Sequence, residues 1–340
     1  MTDRVLLTGV SGFVGGHIAL GLLNAGYAVR GSLRDLSRAE KVRATLQRAG
    51  ADIDRLEFVQ LDLAGDDGWP KAMAGCRYLQ HTASPFGLKM PEDRMELVRP
   101  AVEGTERALN AALVAGVERI VLTSSMAAIA YGHDTARTAP FTAEDWTYLS
   151  GRGVNAYIES KTRAERRAWE LMAAAGRTAD LATINPSVIL GPLLDEDPGT
   201  SAIIVQRLLN GSVPAAPRIP LVLVDVRDVA AAHIAAMTAP AAGGNRFPMG
   251  ESTMFVIEAA RILRAAYPER AGKIPRFQMP DWALRLYGLF DKDVRGNLGE
   301  LGVLKRLDST PTIALLGRPL IPARESITAT AKCLIEHGLV

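Results

Sequence analysis

The sequence predicts an α/β protein built around a doubly wound parallel sheet of seven strands. One observation is that short apolar runs alternate with helical patterns over the first two thirds of the chain. The predicted strands lie at 5–7, 27–33, 56–63, 78–84, 117–125, 179–190 and 221–224. Such alternation is typical of a parallel sheet in which helices form the crossovers. The second observation is that the first apolar run leads through a glycine-rich turn into a helix, as in Rossmann folds.

The bulk composition excludes several classes of partner. Hydrophobic residues make up 48% of the 340 residues and charged residues 22%, which provides for a large core in one large or two modest domains. The net charge of +2 is too small to indicate a nucleic-acid or anionic-membrane partner. The two cysteines lack the spacing of a metal site or a disulfide framework. The first strand begins too early to leave room for a signal peptide, and no apolar run approaches the ~20 residues of a membrane helix, so we expect a cytoplasmic protein.

The stretch 4–24 carries the strongest local pattern in the chain. Its glycines, Gly9, Gly12 and Gly15, are spaced G-x-x-G-x-x-G between an apolar strand and an amphipathic helix. A helix that follows such a turn points backbone N–H groups and its positive end at one spot, which suits a pyrophosphate. Gly9 permits the tight turn, Gly12 lets the phosphates approach, and Gly15 lets the helix lie close on the sheet. The pattern therefore indicates nucleotide binding, with an ordinary glycine-rich loop as the alternative.

The end of the second predicted strand indicates which dinucleotide is bound. Arg34 lies where such folds contact the adenosine ribose, and Lys41 begins the next helix. Two cations near one phosphate favour NADP over NAD. Two alternatives stay open. Asp35 follows directly and is the residue type that binds the ribose hydroxyls of NAD. Arg34 and Lys41 could also be ordinary charges on a solvated helix face.

Small and polar residues follow two further strand ends. Asp62 and Leu63 end the third predicted strand, where an Asp can accept from an adenine amino group and a Leu can pack on the ring. Asp62 would serve equally well as an N-cap of the next segment. The fourth strand ends in Ala83 and Ser84, and small side chains suit a strand end that a cofactor crosses.

A helical pattern at 156–172 carries Tyr157 and Lys161 four residues apart, on one helix face. The preceding strand delivers Ser124 and Ser125 to the carboxyl edge of the sheet, where open α/β sheets bind ligands. A carbonyl under reduction develops negative charge on its oxygen. Tyr157 can donate a proton to that oxygen, and Lys161 lowers the phenol pKa from its usual value near ~10. Since the Ser125 hydroxyl can hydrogen-bond the same oxygen, the three side chains together predict a hydride-transfer site.

The second half of the chain has a different character. Residues 191–220 are rich in Pro and Gly around one helix, and a short strand at 245–249 and a final helix at 327–337 follow later. We therefore expect a Rossmann domain of residues 1–190, to which about 221–240 return. Most of 191–340 would form a smaller, discontinuous α+β domain for the substrate.

The segments TGVSGFVG, LDL, HTASP, LTSS, YIESK and NPSVILGP, in this order, resemble the extended short-chain dehydrogenase/reductase family. The most similar branch is the group of dihydroflavonol-4-reductases, cinnamoyl-CoA reductases and aldehyde reductases. The resemblance spans nearly the whole chain and implies NADP(H) as the cofactor, no metal, and Ser125, Tyr157 and Lys161 as the catalytic triad. The residues that it implies for cofactor binding are Gly9, Gly12, Phe13, Val14, Arg34, Lys41, Asp62, Leu63, Thr82, Ala83, Ser84, Ser124, Tyr157, Lys161, Pro186, Ser187, Val188, Ile189 and Ser201.

The residues expected near the substrate are apolar, which predicts an apolar or aromatic ketone or aldehyde. They are Pro85, Phe86, Met126, Ile189 and Leu193. The plant flavonoid enzymes of the branch have an Asn where this chain has Ala130, which argues against a flavonoid. We expect this small-molecule carbonyl substrate as the partner, and a monomer or homodimer.

Other functions on the same fold stay open, because the fold alone does not choose among them. A nucleotide-sugar epimerase or dehydratase would need basic residues in the second domain to bind a diphosphate. Those available are Arg276, Arg285, Arg295, Lys305 and Arg306. A 3β-hydroxysteroid dehydrogenase is a variant of the reductase. A nonenzymatic NADP-sensing regulator would have no reason to keep Tyr157 and Lys161 in helical register behind Ser125.

Overall fold

The computed structural model describes residues 2–84, 91–289, 295 and 298–340. Its strands are β1 (Arg4–Thr8), β2 (Ala28–Leu33), β3 (Leu56–Gln60), β4 (Tyr78–His81), β5 (Arg119–Thr123), β6 (Leu181–Pro186), β7 (Val188–Leu190), β8 (Pro220–Asp225), β9 (Arg246–Met249) and β10 (Ser252–Phe255). The α-helices up to residue 287 are α1 (Phe13–Asn24), α2 (Ala39–Arg48), α3 (Trp69–Met73), α4 (Met95–Val114), α5 (Ala156–Ala174), α6 (Gly199–Asn210), α7 (Val226–Thr238), α8 (Val256–Ala266) and α9 (Asp281–Tyr287). Two more helices follow, Thr310–Leu316 and the C-terminal helix Ala323–Glu336.

A parallel sheet of seven strands forms the centre of the molecule, in the order β3-β2-β1-β4-β5-β6-β9. The chain runs outward from β1 to β3 and then returns to place β4 on the other side of β1. The strand order therefore reverses between β1 and β4, which opens a crevice at the carboxyl edge of the sheet. The predicted doubly wound α/β fold is confirmed.

Both faces of the large sheet are buried, and β1 shows this in consecutive residues. Val5 and Leu7 belong to the core formed with α1 and α7, whereas Leu6 belongs to the core formed with α4 and α5. Because side chains alternate across a strand, a strand buried on both faces reads as a continuous apolar run. This is why the sequence predicts β1 without any alternation of polar and apolar residues.

The predicted seventh strand was assigned to the wrong sheet. Residues 221–224 lie in β8, which belongs to a separate three-stranded sheet in the order β10-β8-β7. The place beside β6 is taken by β9, with Thr183 opposite Arg246. Since β9 has only four residues, its pattern is too short to distinguish a strand of the large sheet from one of the smaller lobe. Helix α7, which follows β8, does return and packs on α1.

The predicted sixth strand, 179–190, is in fact two strands. Strand β6 ends at Pro186, and the N–H of Ser187 donates to the carbonyl of Met249 at 2.9 Å. The chain then leaves the large sheet and enters the small one as β7. The small sheet, α6, α8 and the C-terminal helix bury their own core, with Leu208, Leu223 and Ile327 among its members. The position of the domain boundary stays a prediction.

No helix within the described ranges combines the length and the apolar character needed to cross a bilayer.

Candidate active site

The hydroxyl of Thr8 joins the ends of β1 and β4 where the strand order reverses. Its Oγ1 accepts hydrogen bonds from the backbone N–H groups of Thr82 (3.1 Å) and Ala83 (3.2 Å). The Oγ1 of Thr82 donates in return to the carbonyl of Thr8 at 2.6 Å. These bonds hold the predicted wall of small residues, 82–84, against the start of the glycine turn.

The glycine turn leaves no room for side chains where β1 meets α1. Gly9 has φ +72°, and a Cβ added there would lie 3.0 Å from both the N of Ala83 and the Oγ1 of Thr82. A Cβ on Gly15 would lie 2.1 Å from the carbonyl oxygen of Gly9, so the first turn of the helix rests directly on the glycine turn. Gly12 is the N-cap of α1, and Phe13 and Val14 begin the helix. Because the first N–H groups of a helix have no acceptor within the helix, this cradle of backbone at the start of α1 fits the pyrophosphate of a dinucleotide.

Arg34 and Lys41, the residues that the sequence predicts for a 2′-phosphate, follow β2 and lie in α2, respectively; their contact with a phosphate stays a prediction. Arg34 directly follows β2 and is exposed, and the Lys41 Nζ lies 3.9 Å from Asp195 Oδ2. The alternative residue, Asp35, is engaged locally: its carboxylate accepts from the N–H (2.9 Å) and hydroxyl (2.7 Å) of Ser37. These hydrogen bonds, that from the hydroxyl above all, hold the pKa of Asp35 below its usual value. The carboxylate thus caps a short 3-10 helix.

Asp62 and Leu63 are also found at the expected edge. Asp62 is exposed, and its carboxylate accepts from the N–H of Ala64 at 3.0 Å. Leu63 is half-buried against α4. A Cβ added to Gly104 of that helix would lie 3.1 Å from the Cβ of Leu63. Asp62 therefore closes a local turn and caps no helix, since the N-cap of α3 is Gly68; its contact with adenine stays a prediction.

The residues after β6 present one orphaned polar atom. The hydroxyl oxygen of Ser187 is buried and has no hydrogen-bond partner among the described residues. Its neighbours Pro186, Val188 and Ile189 lie at the junction of the two sheets, and Ser201 lies in α6. An unpaired buried hydroxyl at the end of β6 fits a ligand group at the carboxyl edge of the sheet.

The three predicted catalytic residues come together at the ends of β5 and α5. The hydroxyls of Tyr157 and Ser125 share a hydrogen bond. Ser125 Oγ also accepts from the N–H of Ala127 at 3.1 Å, which fixes its orientation. Lys161 follows one turn after Tyr157 on α5. Asn155 begins this helix by accepting from the N–H of Ile158 at 2.9 Å, so the helix start is fixed next to the phenol.

Burial sets the protonation states of these groups. Burial raises the pKa of Tyr157, and the hydrogen bond with Ser125 partly opposes it. Burial lowers the pKa of Lys161 to about 8, against the opposing charge of Glu165. The lowering of the phenol pKa by Lys161 that the sequence predicts is therefore not found, because burial outweighs it. At neutral pH the site holds a protonated phenol, with an ammonium one helical turn away.

The predicted substrate residues fall into three groups. Met126 is buried beside Phe141 and Val222, next to the Ser125 turn. Leu193 is buried in the core of the smaller lobe. Pro85 and Phe86 lie outside the described residues. Their roles toward a substrate stay predictions.

A polar network directly behind the triad was not predicted from the sequence. Its central residue is Glu165, fully buried, with Asn185 and Arg246 as partners. The Glu165 position was readable from the sequence, since it continues the spacing of Tyr157 and Lys161 by four residues. No local pattern indicated Arg246 as its partner, because Arg246 lies 81 residues after Glu165 in the chain.

No group of His, Cys, Asp and Glu in the described part of the chain is arranged to hold a metal ion, and Cys76 and Cys333 are free thiols.

A glycine cradle at the switch point of a parallel sheet, a Ser after β5 and a Tyr–x3–Lys pair on the following helix define the class of short-chain dehydrogenases/reductases. The model of the NAD dependent epimerase/dehydratase family matches residues 5–250. The chain belongs to this family, and the resemblance predicted from its motifs is confirmed.

Among its relatives, cinnamoyl-CoA reductase CAD2 of Medicago truncatula is 36% identical over 270 residues, which cover 78% of this chain and 81% of that protein. Tetraketide alpha-pyrone reductase 2 of Arabidopsis thaliana is 33% identical over 271 residues, 78% of this chain and 83% of that protein. The structure of yeast methylglyoxal/isovaleraldehyde reductase Gre2 complexed with NADPH has a TM-score of 0.79 at 25% identity, and covers 99% of this chain and 100% of that chain. All three are named as reductases.

The cradle generates a testable prediction. Gly9→Ala should weaken the binding of NADPH and NADH alike by about tenfold or more, because the new methyl group crowds the Thr82–Ala83 wall and strains a left-handed residue. Gly50→Ala is the matched control, since Gly50 also has positive φ (+88°) but open space around it. Fluorescence titration of each dinucleotide measures the affinities. Unchanged binding by a folded Gly9→Ala variant would contradict the cradle.

Proposed function

We propose that this protein is an NADPH-dependent carbonyl reductase that converts an apolar or aromatic ketone or aldehyde to the alcohol, reversibly, with Tyr157 as proton donor. The observation that carries the proposal is the hydrogen bond between Tyr157 and Ser125, with Lys161 one turn away on the same helix. The three side chains converge at the carboxyl edge of the sheet, beside the dinucleotide cradle.

The chain's own residues supply binding and proton transfer. The hydroxyls of Ser125 and Tyr157 both donate to the substrate oxygen, on which negative charge develops. Tyr157 passes its proton to that oxygen, and the ammonium of Lys161 stabilises the phenolate that remains. NADPH supplies the hydride when it is bound.

The preference for NADPH follows from the charges beside the cradle. Arg34 and Lys41 would hold the 2′-phosphate, whereas Asp35 is engaged with Ser37. The similar reductase Gre2 of yeast was solved as a complex with NADPH, which supports the same cofactor here. Phe13 and Val14 would present backbone N–H groups to the pyrophosphate, beside Gly12, whose own N–H donates to the carbonyl of Gly9 at 3.0 Å.

Apolar surroundings support the proposed substrate class. Tyr157 packs with Val154, Ile158 and Tyr131, and Tyr131 also packs with Met126. A cleft with this lining favours an aryl or alkyl group beside the carbonyl. A monomeric or homodimeric state and a cytoplasmic location stay predictions.

Three of the five basic residues that could bind a sugar diphosphate have other partners. Lys305 forms an ion pair with Glu300, and Arg306 donates to the carbonyl of Thr138. Arg295 donates to backbone carbonyls of 288 and 289. These contacts favour the reductase over a nucleotide-sugar epimerase or dehydratase.

A substrate panel tests the proposed function directly. NADPH oxidation should be observed with aryl ketones and aliphatic aldehydes and should be absent with UDP-sugars. Turnover confined to the sugars would overturn the proposal.

Tyr157→Phe should lower turnover by about 10²-fold or more, because proton donation to the substrate oxygen is lost. NADPH affinity, measured by fluorescence titration, should stay within about twofold, since one hydroxyl is removed without any change of fold. Tyr148→Phe is the control, because Tyr148 is 61% exposed. A Tyr157→Phe variant with full turnover would show that another group donates the proton.

Arg34→Ala should weaken NADPH by about tenfold or more and leave NADH nearly unchanged, because only NADPH carries the 2′-phosphate. Arg48→Ala, at the exposed end of α2, should affect neither cofactor. Dissociation constants for both cofactors decide the question. Equal losses for NADPH and NADH would mean that Arg34 has no role in recognising the phosphate.

A further inference from the structure

A fully buried carboxylate, that of Glu165, lies behind the triad and accepts hydrogen bonds from several side chains. Glu165 Oε1 accepts from Arg246 Nε (2.6 Å) and Thr183 Oγ1 (3.1 Å). Its Oε2 accepts from Asn185 Nδ2 (2.7 Å) and from the hydroxyl of Ser124. These partners come from β5, β6 and β9 or the residues directly after them, so one side chain of α5 ties three strand ends together.

Arg246 is held from the opposite side, which fixes the carboxylate as an anion. Its Nη1 donates to the carbonyls of Ala143 (2.7 Å) and Asp145 (2.6 Å), and its guanidinium lies 3.8 Å from the centroid of the Trp146 ring. Burial by itself would raise the pKa of Glu165, but the charge and hydrogen bonds of Arg246, with those of Ser124 and Asn185, hold it below its usual value. Glu165 is therefore ionised at neutral pH.

Two links connect this carboxylate to the triad. The first passes through the backbone, because Asn185 Nδ2 donates to Glu165 and also lies 3.3 Å from the carbonyl oxygen of Ser125. The second is electrostatic, because Glu165 lies one turn beyond Lys161 on α5 and its negative charge favours the ammonium.

Among the residues that the structure describes, the other groups around Lys161 supply no negative charge. On its own helix it faces Tyr157 and Glu165. From β4 it faces His81, whose pKa burial lowers to about 3 and which is therefore neutral. Uncharged residues of α4 and of the end of β5, Thr105, Thr123 and Ser124, line the same small cavity. Arg246, from β9, stands on the far side of Glu165.

We propose that Glu165 is a positioning residue of the reductase, whose buried charge keeps Lys161 an ammonium and whose hydrogen bonds hold the Ser124–Ser125 strand end toward Tyr157. This inference rests on the proposed function. A buried ion pair adds little net stability compared with apolar residues of similar size. A role in the active site explains why the Glu165–Arg246 pair lies next to Lys161 and, through Asn185, next to Ser125.

The test compares three variants. Glu165→Gln removes the charge and keeps the shape. Glu165→Gln combined with Arg246→Gln removes both buried charges, so no unpaired cation is left to unfold the protein. Glu170→Gln is the matched control, since Glu170 lies on the same helix but is exposed and pairs with Arg167.

The first readout needs neither cofactor nor substrate. Competitive labelling of the apoprotein with acetic anhydride over a range of pH, read by peptide mass spectrometry, gives the titration of Lys161. The midpoint should fall by about one pH unit in both variants that lack Glu165, because an opposite charge is lost. It should stay at the wild-type value in Glu170→Gln.

The second readout is the pH profile of kcat with saturating NADPH and ketone. With a Lys161 pKa of about 8 in the wild type, a one-unit fall reduces the ammonium fraction at pH 8 from about one half to about one tenth. We therefore expect kcat to fall about fivefold at pH 8 and to approach the wild-type value near pH 6, with KM for the ketone nearly unchanged.

Three outcomes would overturn the inference: an unshifted Lys161 titration in either folded variant lacking Glu165, a loss of kcat that is equal at pH 6 and pH 8, or full recovery of both readouts in the double variant. The last outcome would mean that Glu165 only balances the charge of Arg246. If the wild type reduces no carbonyl compound, the proposed function fails, whereas the labelling titration still decides whether Glu165 sets the charge of Lys161.

Discussion

A single hydroxyl, that of Thr8, holds together the ends of the two strands between which the sheet reverses its order. It accepts hydrogen bonds from the N–H groups of Thr82 and Ala83. These two residues in turn leave no room for a side chain at Gly9. Because parallel strands end on the same edge, the turn after β1, the wall after β4 and the serines after β5 must meet there. The cradle and the triad are thus neighbours by topology, although they are more than 100 residues apart in the chain.

Burial does most of the chemical tuning at this edge. It raises the pKa of Tyr157 and lowers that of Lys161, so the phenol keeps its proton while the ammonium is close to losing its own. Both shifts favour the neutral form of the group, as burial does. The charge of Glu165 works against the burial of Lys161, which makes the ion pair behind the triad part of the same electrostatic balance.

Features with a local signal could be predicted from the sequence. The glycine turn, the serine pair and the Tyr–Lys spacing each lie within a short segment, and the structure brings them to one edge. Asp35 could not be assigned from the sequence, because only the structure shows that Ser37 occupies its carboxylate. Glu165 was readable from its spacing but has meaning only once its distant partner Arg246 is in place.

The wrong strand assignment has a similar cause. Both β8 and β9 are short runs with strand-like composition, and only pairing partners distinguish them. The residues that decide the pairing, Thr183 opposite Arg246 and Val188 opposite Leu223, are far apart in the chain. The division of the predicted strand 179–190 after Pro186 agrees with a local rule, since proline lacks an N–H for sheet pairing. It was not predicted because the surrounding residues form one long apolar run.

The most direct test of the central claim is to locate the transferred hydrogen. The enzyme would be supplied with NADPH that carries deuterium at both hydrogen positions of C4 of the nicotinamide, together with a ketone that it turns over, and the alcohol would be analysed by mass spectrometry and NMR. We predict one deuterium on the carbinol carbon and an oxygen-bound hydrogen that comes from the solvent. An alcohol without deuterium on that carbon would contradict direct hydride transfer to the carbonyl.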